Sequence, residues 1–198
     1  MICFMNLIKN QIILASSSPR RKFFFEKMQL DFIVKVIPVK EKYPPGLNGI
    51  ETARHIAHKK SEAFFEKIKK NQLVITADTI VWHKNKPLGK PSNSIEAKIM
   101  LKKLSNSSHE VITAVCFLTK EKIEIIHEVS TVTFGQVSEN EINDYIETGS
   151  PFDKAGSYGI QDPFGIRNIV SINGSYTNII GLPVAQVLKK IKEIIIEN

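Results

Sequence analysis

Apolar residues in this chain fall into two patterns, short unbroken runs and stripes at helical spacing. Ile12-Ile13-Leu14 is an unbroken run of the kind a buried strand carries. A small-residue turn follows, and then Ser18 and Pro19 mark a helix start. Serine is a good N-cap, and proline at the first helical position has no intrahelical N–H bond to lose. The stripe Phe23, Phe24 and Met28, widened by Phe25, continues that helix over 22–30. A second strand is predicted over 31–39, running into the polar, Pro- and Gly-rich loop 40–49. Ala53, Ile56, Ala57, Ala63 and Phe64 give one apolar face to a helix over 51–70, with lysines largely opposite.

Residues 73–82 read as a buried strand entering a hairpin with its turn at Lys84-Asn85-Lys86. Asn93 with Glu96 resembles a capping box and predicts a helix over 93–104; Ser138 with Glu141 does the same for a helix that stops at Gly149. The Val-, Ile- and Thr-rich stretches 109–117 and 122–134 predict two long strands. A glycine-rich loop over 150–162, a last strand over 167–172, a tight turn at Asn173-Gly174 and an amphipathic helix after Gly181-Leu182-Pro183 complete the chain. The pattern predicts an α/β protein with one domain over 1–198, in which 1–10 is an extension without a motif.

Composition narrows the function. No run approaches the ~18 apolar residues that span a membrane, and Met1 to Ile8 makes a poor signal peptide, with no basic residue before it and Lys9 ending it. Cys3 and Cys116 form no disulfide framework or metal knuckle, so a reducing cytoplasm is expected. The net charge of +7 suits an anionic partner. The lysines are spread among glutamates along helices, however, without the aromatic-basic interleaving of single-strand binders. Most of this charge reads as solvated helix surface, with nucleic-acid binding as a minority reading.

Several residues stand out chemically. Arg20 and Arg21 fall in the first turn of a helix, where cations are unfavourable unless an anion neutralises them. Asp78 is a lone carboxylate in an apolar strand, costly to bury unless paired, metal-bound or at a cleft. Lys90 is held rigidly between Gly89 and Pro91, Glu41 follows a strand, Lys60 lies on a helix, and Gln161 on the glycine-rich loop offers both donor and acceptor to a base edge. His55, His58 and Glu62 stand at helical spacing, but HExxH is absent and a solvated face is the better reading. Two carboxylates with several cations are the parts for binding a triphosphate with a divalent metal.

Five stretches in order carry a resemblance: Ala15-Ser16-Ser17-Ser18-Pro19-Arg20-Arg21; Ala77-Asp78-Thr79-Ile80-Val81; Gly89-Lys90-Pro91; the run from Asp153 to Gln161; and the run from Asn173 through Gly181-Leu182-Pro183. Together they resemble the Maf family of nucleoside triphosphate pyrophosphatases. The resemblance implies a fold like that of the inosine triphosphate pyrophosphatases, a long mixed sheet with flanking helices in two lobes around a central cleft. It implies hydrolysis between the α and β phosphates, a divalent cation (Mg²⁺ or Mn²⁺) and a homodimer. It makes Asp78 the proton acceptor and Glu41 an acidic metal- or water-handling position, so that Glu41 and Asp78 are the metal ligands. Ser16, Arg20, Arg21, Lys60 and Lys90 match phosphate-holding positions, with Lys60 and Lys90 counted among the catalytic set beside Asp78 and Glu41. Arg20, Thr79 and Gln161 match positions tied to base choice.

The form Tyr158-Gly159-Ile160-Gln161 resembles the subgroup acting on dTTP and UTP rather than the one acting on 7-methyl-GTP. A cell-division or septum-formation interaction protein is the alternative from another class. Two departures stand out. Lys40 and Lys42 flank Glu41, which disfavours a bound cation. Asp162 replaces the glycine common after the glutamine and adds a negative charge near the expected base pocket.

Overall fold

The computed structural model describes residues 11–196. The expected extension over 1–10, with Cys3, lies outside them. In chain order the elements are β1 (Gln11–Leu14), α1 (Pro19–Lys27), β2 (Phe32–Val34), α2 (Gly49–Glu62), β3 (Gln72–His83), β4 (Lys86–Leu88) and α3 (Ser94–Leu104). There follow β5 (Ser108–Leu118), β6 (Ile123–Phe134), α4 (Glu139–Glu147), α5 (Pro163–Asn168), β7 (Ile169–Asn173), α6 (Tyr176–Ile180) and α7 (Val184–Ile196). The strands form a seven-stranded mixed sheet in the order β2-β1-β3-β5-β6-β7, with β4 on β3. The α/β class is as the pattern predicts.

The chain divides into two compact units, one of residues 11–78, 113–127 and 181–196, the other of 79–112 and 128–180. In the first unit β1 pairs parallel with β2 (Ile12↔Phe32) and with β3 (Leu14↔Ile75). Parallel neighbours need a crossover, which α1 and α2 supply. Ile13, Ala15, Phe64, Ile68, Val74 and Leu118 pack into one buried cluster there. In the second unit β3 turns back on β4 through Lys84 and Asn85, whose φ of 48° and 62° have the signs of a type I′ hairpin turn. The core of that unit is aromatic. Phe134 meets Tyr158 edge-on at 4.9 Å, and Tyr145 stacks on Phe164 at 4.4 Å. His109 contacts Tyr158 Oη at 2.7 Å through Nε2, and burial pushes its pKa down to about 4, so the imidazole is neutral.

The predicted boundaries need correction at several points. Helix α1 ends at Lys27 and buries Phe24 and Phe25, while Phe23 is exposed. Strand β2 has three residues instead of nine, and Ile33, Val34 and Val36 are exposed. Its only partner among the described residues, β1, stops at Leu14, whose carbonyl takes a last bond from the Lys35 N–H. Helix α2 ends at Glu62, beyond which Phe64 and Phe65 bond back three residues in turns. Asn93 caps α3, but Glu96 bonds Ser92 instead of closing a box on Asn93. Arg167 and Asn168 belong to α5, which the pattern did not predict, so the last strand is Ile169–Asn173.

Candidate active site

The site in the first unit begins where β1 stops short of β3. Pairing between them ends at Leu14↔Ile75, and the Ala15 N–H makes one further bond to the Ile75 carbonyl. Beyond that point β3 continues through Thr76, Ala77 and Asp78 without β1 beside it. Asp78 therefore lies in mid-strand and not at a strand end, but past the last β1 partner.

Two positively charged side chains approach this stretch. The first is set by register. Thr76 Oγ1 donates to the Ala57 carbonyl on α2 at 2.6 Å. Asp78 is two residues further on the same strand face, and Lys60 three residues further on the same helix face. One pinned contact thus brings Lys60 to Asp78, with Nζ at 2.7 Å from Oδ1. The same ammonium lies 2.9 Å from Glu41 Oε1, on the loop after β2. Lys60 is therefore shared by two carboxylates, one nearly buried at 11% side-chain exposure and one open at 54%.

The second is Arg21, delivered by α1. Ser18 caps that helix, its Oγ accepting from the Arg21 N–H at 3.4 Å, and Pro19 opens it, as the sequence predicts. The Arg21 side chain is buried. Its Nε donates to the Gly181 carbonyl (2.9 Å), and Nη1 to the Ala77 carbonyl (2.9 Å) and Ser16 Oγ (3.2 Å). The guanidinium thus fastens the turn after β1, the strand at Ala77 and the entry to α7, while its charge acts on Asp78. Arg20, one residue earlier, is half-buried.

These surroundings set the protonation of Asp78. Burial raises its carboxyl above the ordinary range, and the charge and hydrogen bond of Lys60 oppose that rise, with a smaller pull from Arg21. The result is a carboxylate more basic than an exposed one, poised to accept a proton. Burial likewise pushes the Arg21 pKa down.

The donors fit a divalent cation. Lys60 meets one oxygen of each carboxylate, Oε1 and Oδ1, and a carboxylate has two. A hard cation commonly takes one or two carboxylates and completes its shell from substrate phosphates and water. Lys60 already shows that one positive centre satisfies both acids.

Ser16, Arg21, Glu41, Lys60 and Asp78 are thus brought together, with Arg20 adjacent in the chain. The remaining predicted site residues, Thr79, Lys90 and Gln161, belong to the second unit. Thr79, half-buried, follows Asp78 on β3. Lys90 is exposed beside Gly89, whose carbonyl accepts from the Gly156 N–H at 3.0 Å. Gly156 has φ +72°, which glycine adopts without strain, and a Cβ there would crowd the Val81 side chain at 3.0 Å. Gln161 is exposed at the end of Tyr158-Gly159-Ile160. His58 Nδ1 lies 3.4 Å from Glu62, one turn along α2. The sequence reading missed the carbonyl partners of Arg21 and the environment of Asp162. Carbonyls carry no residue signal. For Asp162 the departure from the family pattern was the only sign.

A family model described as Maf-like protein matches residues 11–194. A relative from Flavobacterium johnsoniae, named dTTP/UTP pyrophosphatase, is 49% identical over 181 residues, which are 91% of this chain and 93% of that protein. One from Bacteroides fragilis with the same name is 44% identical over 190 residues, 96% of this chain and 98% of that one. The solved structure of the Staphylococcus aureus Ham1 protein aligns at TM-score 0.47 and 16% identity, over 63% of this chain and 72% of that one, too weakly to add to the fold read from the strands.

Proposed function

This chain belongs to the Maf-like protein family, and from that premise we propose that it hydrolyses dTTP and UTP to the monophosphate and pyrophosphate. The observation that carries the reading is the Lys60 ammonium shared between buried Asp78 and open Glu41. It pairs a base of raised basicity with a cation-ready second acid. Relatives named dTTP/UTP pyrophosphatase support the substrate class.

In the proposed reaction a water oxygen bonds to the α-phosphorus while the bond from that phosphorus to the α–β bridging oxygen breaks. Asp78 takes the proton of the water, and pyrophosphate leaves with the bridging oxygen. Glu41 and Asp78 would hold a divalent cation, Mg²⁺ or Mn²⁺, whose chemistry when bound is to neutralise charge on the phosphate oxygens. Lys60 orients both acids. Ser16, Arg20 and Lys90 bind phosphate oxygens, with Arg21 contributing its charge from a fastened position. Arg20, Thr79 and Gln161 contact the base. The family resemblance also supports a homodimer, the pattern of the chain one domain over 1–198 and the sparse cysteines a cytoplasmic location, which sedimentation and cell fractionation check. Among the described residues no helix is long and apolar enough to cross a membrane.

The test is pyrophosphate release from dTTP, UTP, CTP, GTP, ITP and 7-methyl-GTP with Mg²⁺ or Mn²⁺, beside an Asp78→Asn control. Release is expected from dTTP and UTP, needing metal and falling by about 10³-fold or more in the variant. A folded Asp78→Asn protein of near-normal rate would remove Asp78 from the role of base, and silence of the wild type on every nucleotide would end the reading.

A further inference from the structure

The environment of Asp162 carries a second inference, which rests on the reading of Gln161 as a base contact. Asp162 stands at the N-cap position of α5 with extended backbone (φ −76°, ψ 151°) yet makes no capping bond. Aspartate there ordinarily accepts from the first helical N–H groups. This carboxylate is turned elsewhere. Its Oδ2 accepts from Tyr145 Oη at 2.5 Å and Ser150 Oγ at 3.0 Å, and lies 3.4 Å from Lys154 Nζ. The charge that the sequence places near a base pocket is therefore committed to three protein donors.

Those donors lead back to the recognition segment. With its proton given to Asp162, Tyr145 Oη accepts the Gly159 N–H at 3.3 Å. The Gly159 carbonyl in turn accepts the Asp162 N–H at 3.1 Å. Backbone and carboxylate close so tightly around Gly159 that a Cβ there would stand 2.8 Å from the Asp162 carboxylate. A Cβ on Gly165 would collide with the Gly159 carbonyl from the other side. Tyr158 and Ile160 are buried, the first bound to His109, so their side chains anchor the segment inward while Gln161 faces solvent. The ring of Tyr145, stacked on Phe164, is a rigid carrier for its hydroxyl.

We propose that Asp162 is a positioning residue for base selection: through Tyr145 it fixes the Gly159–Gln161 backbone, and so the direction from which the Gln161 amide meets a base. A reader with one amide discriminates only when its donor and acceptor are held in place, because a mobile amide rotates to satisfy either pattern. Loss of the lock weakens discrimination and leaves the residues that handle the phosphates unchanged.

The experiment compares wild type, Asp162→Ala, Tyr145→Phe and the double variant in two measurements. The first is hydrogen–deuterium exchange of the peptide covering 156–162, which needs no substrate. The second is kcat and KM for dTTP and for CTP. Each single variant is expected to raise exchange at the Gly159 amide about tenfold, the scale of one ordinary hydrogen bond. Each is expected to cut the dTTP-to-CTP ratio of kcat/KM about tenfold through KM, with kcat for dTTP within about twofold. The double variant should be no worse than either single, because both break one chain of contacts. Unchanged exchange in a folded variant overturns the proposal; so does raised exchange with an unchanged ratio, or losses that add in the double. Tyr145→Phe keeps the test decisive if Asp162→Ala fails to fold. A wild type that turns over no nucleotide counts against the pyrophosphatase reading, while the exchange measurement still upholds or overturns the lock.

Discussion

Asp78 is a carboxylate under two opposed influences. Burial lifts its pKa, and the ammonium of Lys60 pulls it down. In the metal-free protein the Asp78 carboxyl is therefore expected to titrate above the ordinary aspartate value of about 3.9, as read by carboxyl NMR. Lys60→Met removes the opposing pull and should carry that titration to higher pH. A titration that stays put or moves to lower pH would show that Lys60 does not hold the Asp78 carboxyl down. Stability follows the same sign. With the folded pKa above the unfolded one, the contribution of Asp78 is complete below its unfolded pKa and is lost as pH rises through the folded pKa. Asp78→Asn should thus gain on the wild type as pH rises, in denaturant titrations at several pH values. At this scale the sequence showed the residue types and not their pairing. An acid in an apolar strand and a lysine on a helix were both visible. Their meeting follows from the register of α2 on β3, marked by the bond from Thr76 to Ala57, which no local pattern contains.

Elements written by local rules were the ones the sequence disclosed. The Ser18 and Ser138 caps act over three residues, and both helix starts fall where they were read. Strand β2 failed because its length is set by a partner, β1, that ends first. Helix α5 was hidden because its proline opening sits in a loop-like glycine-rich stretch, and its N-cap aspartate does not cap. The hairpin between β3 and β4 offers a direct check. Lys84 and Asn85 both occupy the left-handed region, which costs a lysine about 1 kcal/mol. Replacing the pair by Asn-Gly, the dipeptide such a turn favours, should stabilise the protein by about 1 kcal/mol as read from the urea midpoint. An unmoved midpoint would contradict the turn geometry.

For the whole molecule, the notable fact is how the units share the chain. The first consists of three separate stretches, and the chain leaves it between Asp78 and Thr79, in the middle of β3. Its last stretch supplies the Gly181 carbonyl to Arg21, 160 positions away, and buries Leu182, Val187, Ile191 and Ile194. Deleting 181–196 should abolish cooperative thermal unfolding, since the loss includes four buried apolar side chains at roughly 1.5–3 kcal/mol each. A truncated protein that still melted in one sharp transition would show the first unit to be complete without them.

That connection also sets an order of events during synthesis. Arg21 leaves the ribosome early, and its guanidinium then waits for a carbonyl that does not exist until 160 further residues have been added. At roughly 5–20 residues per second the wait lasts about 8–32 seconds. Throughout it the guanidinium can reach Ser16 and Ala77 but lacks its third anchor, while the second unit, complete at residue 180, has all its residues first. The half that carries the proposed base is therefore the last to receive all of its chain.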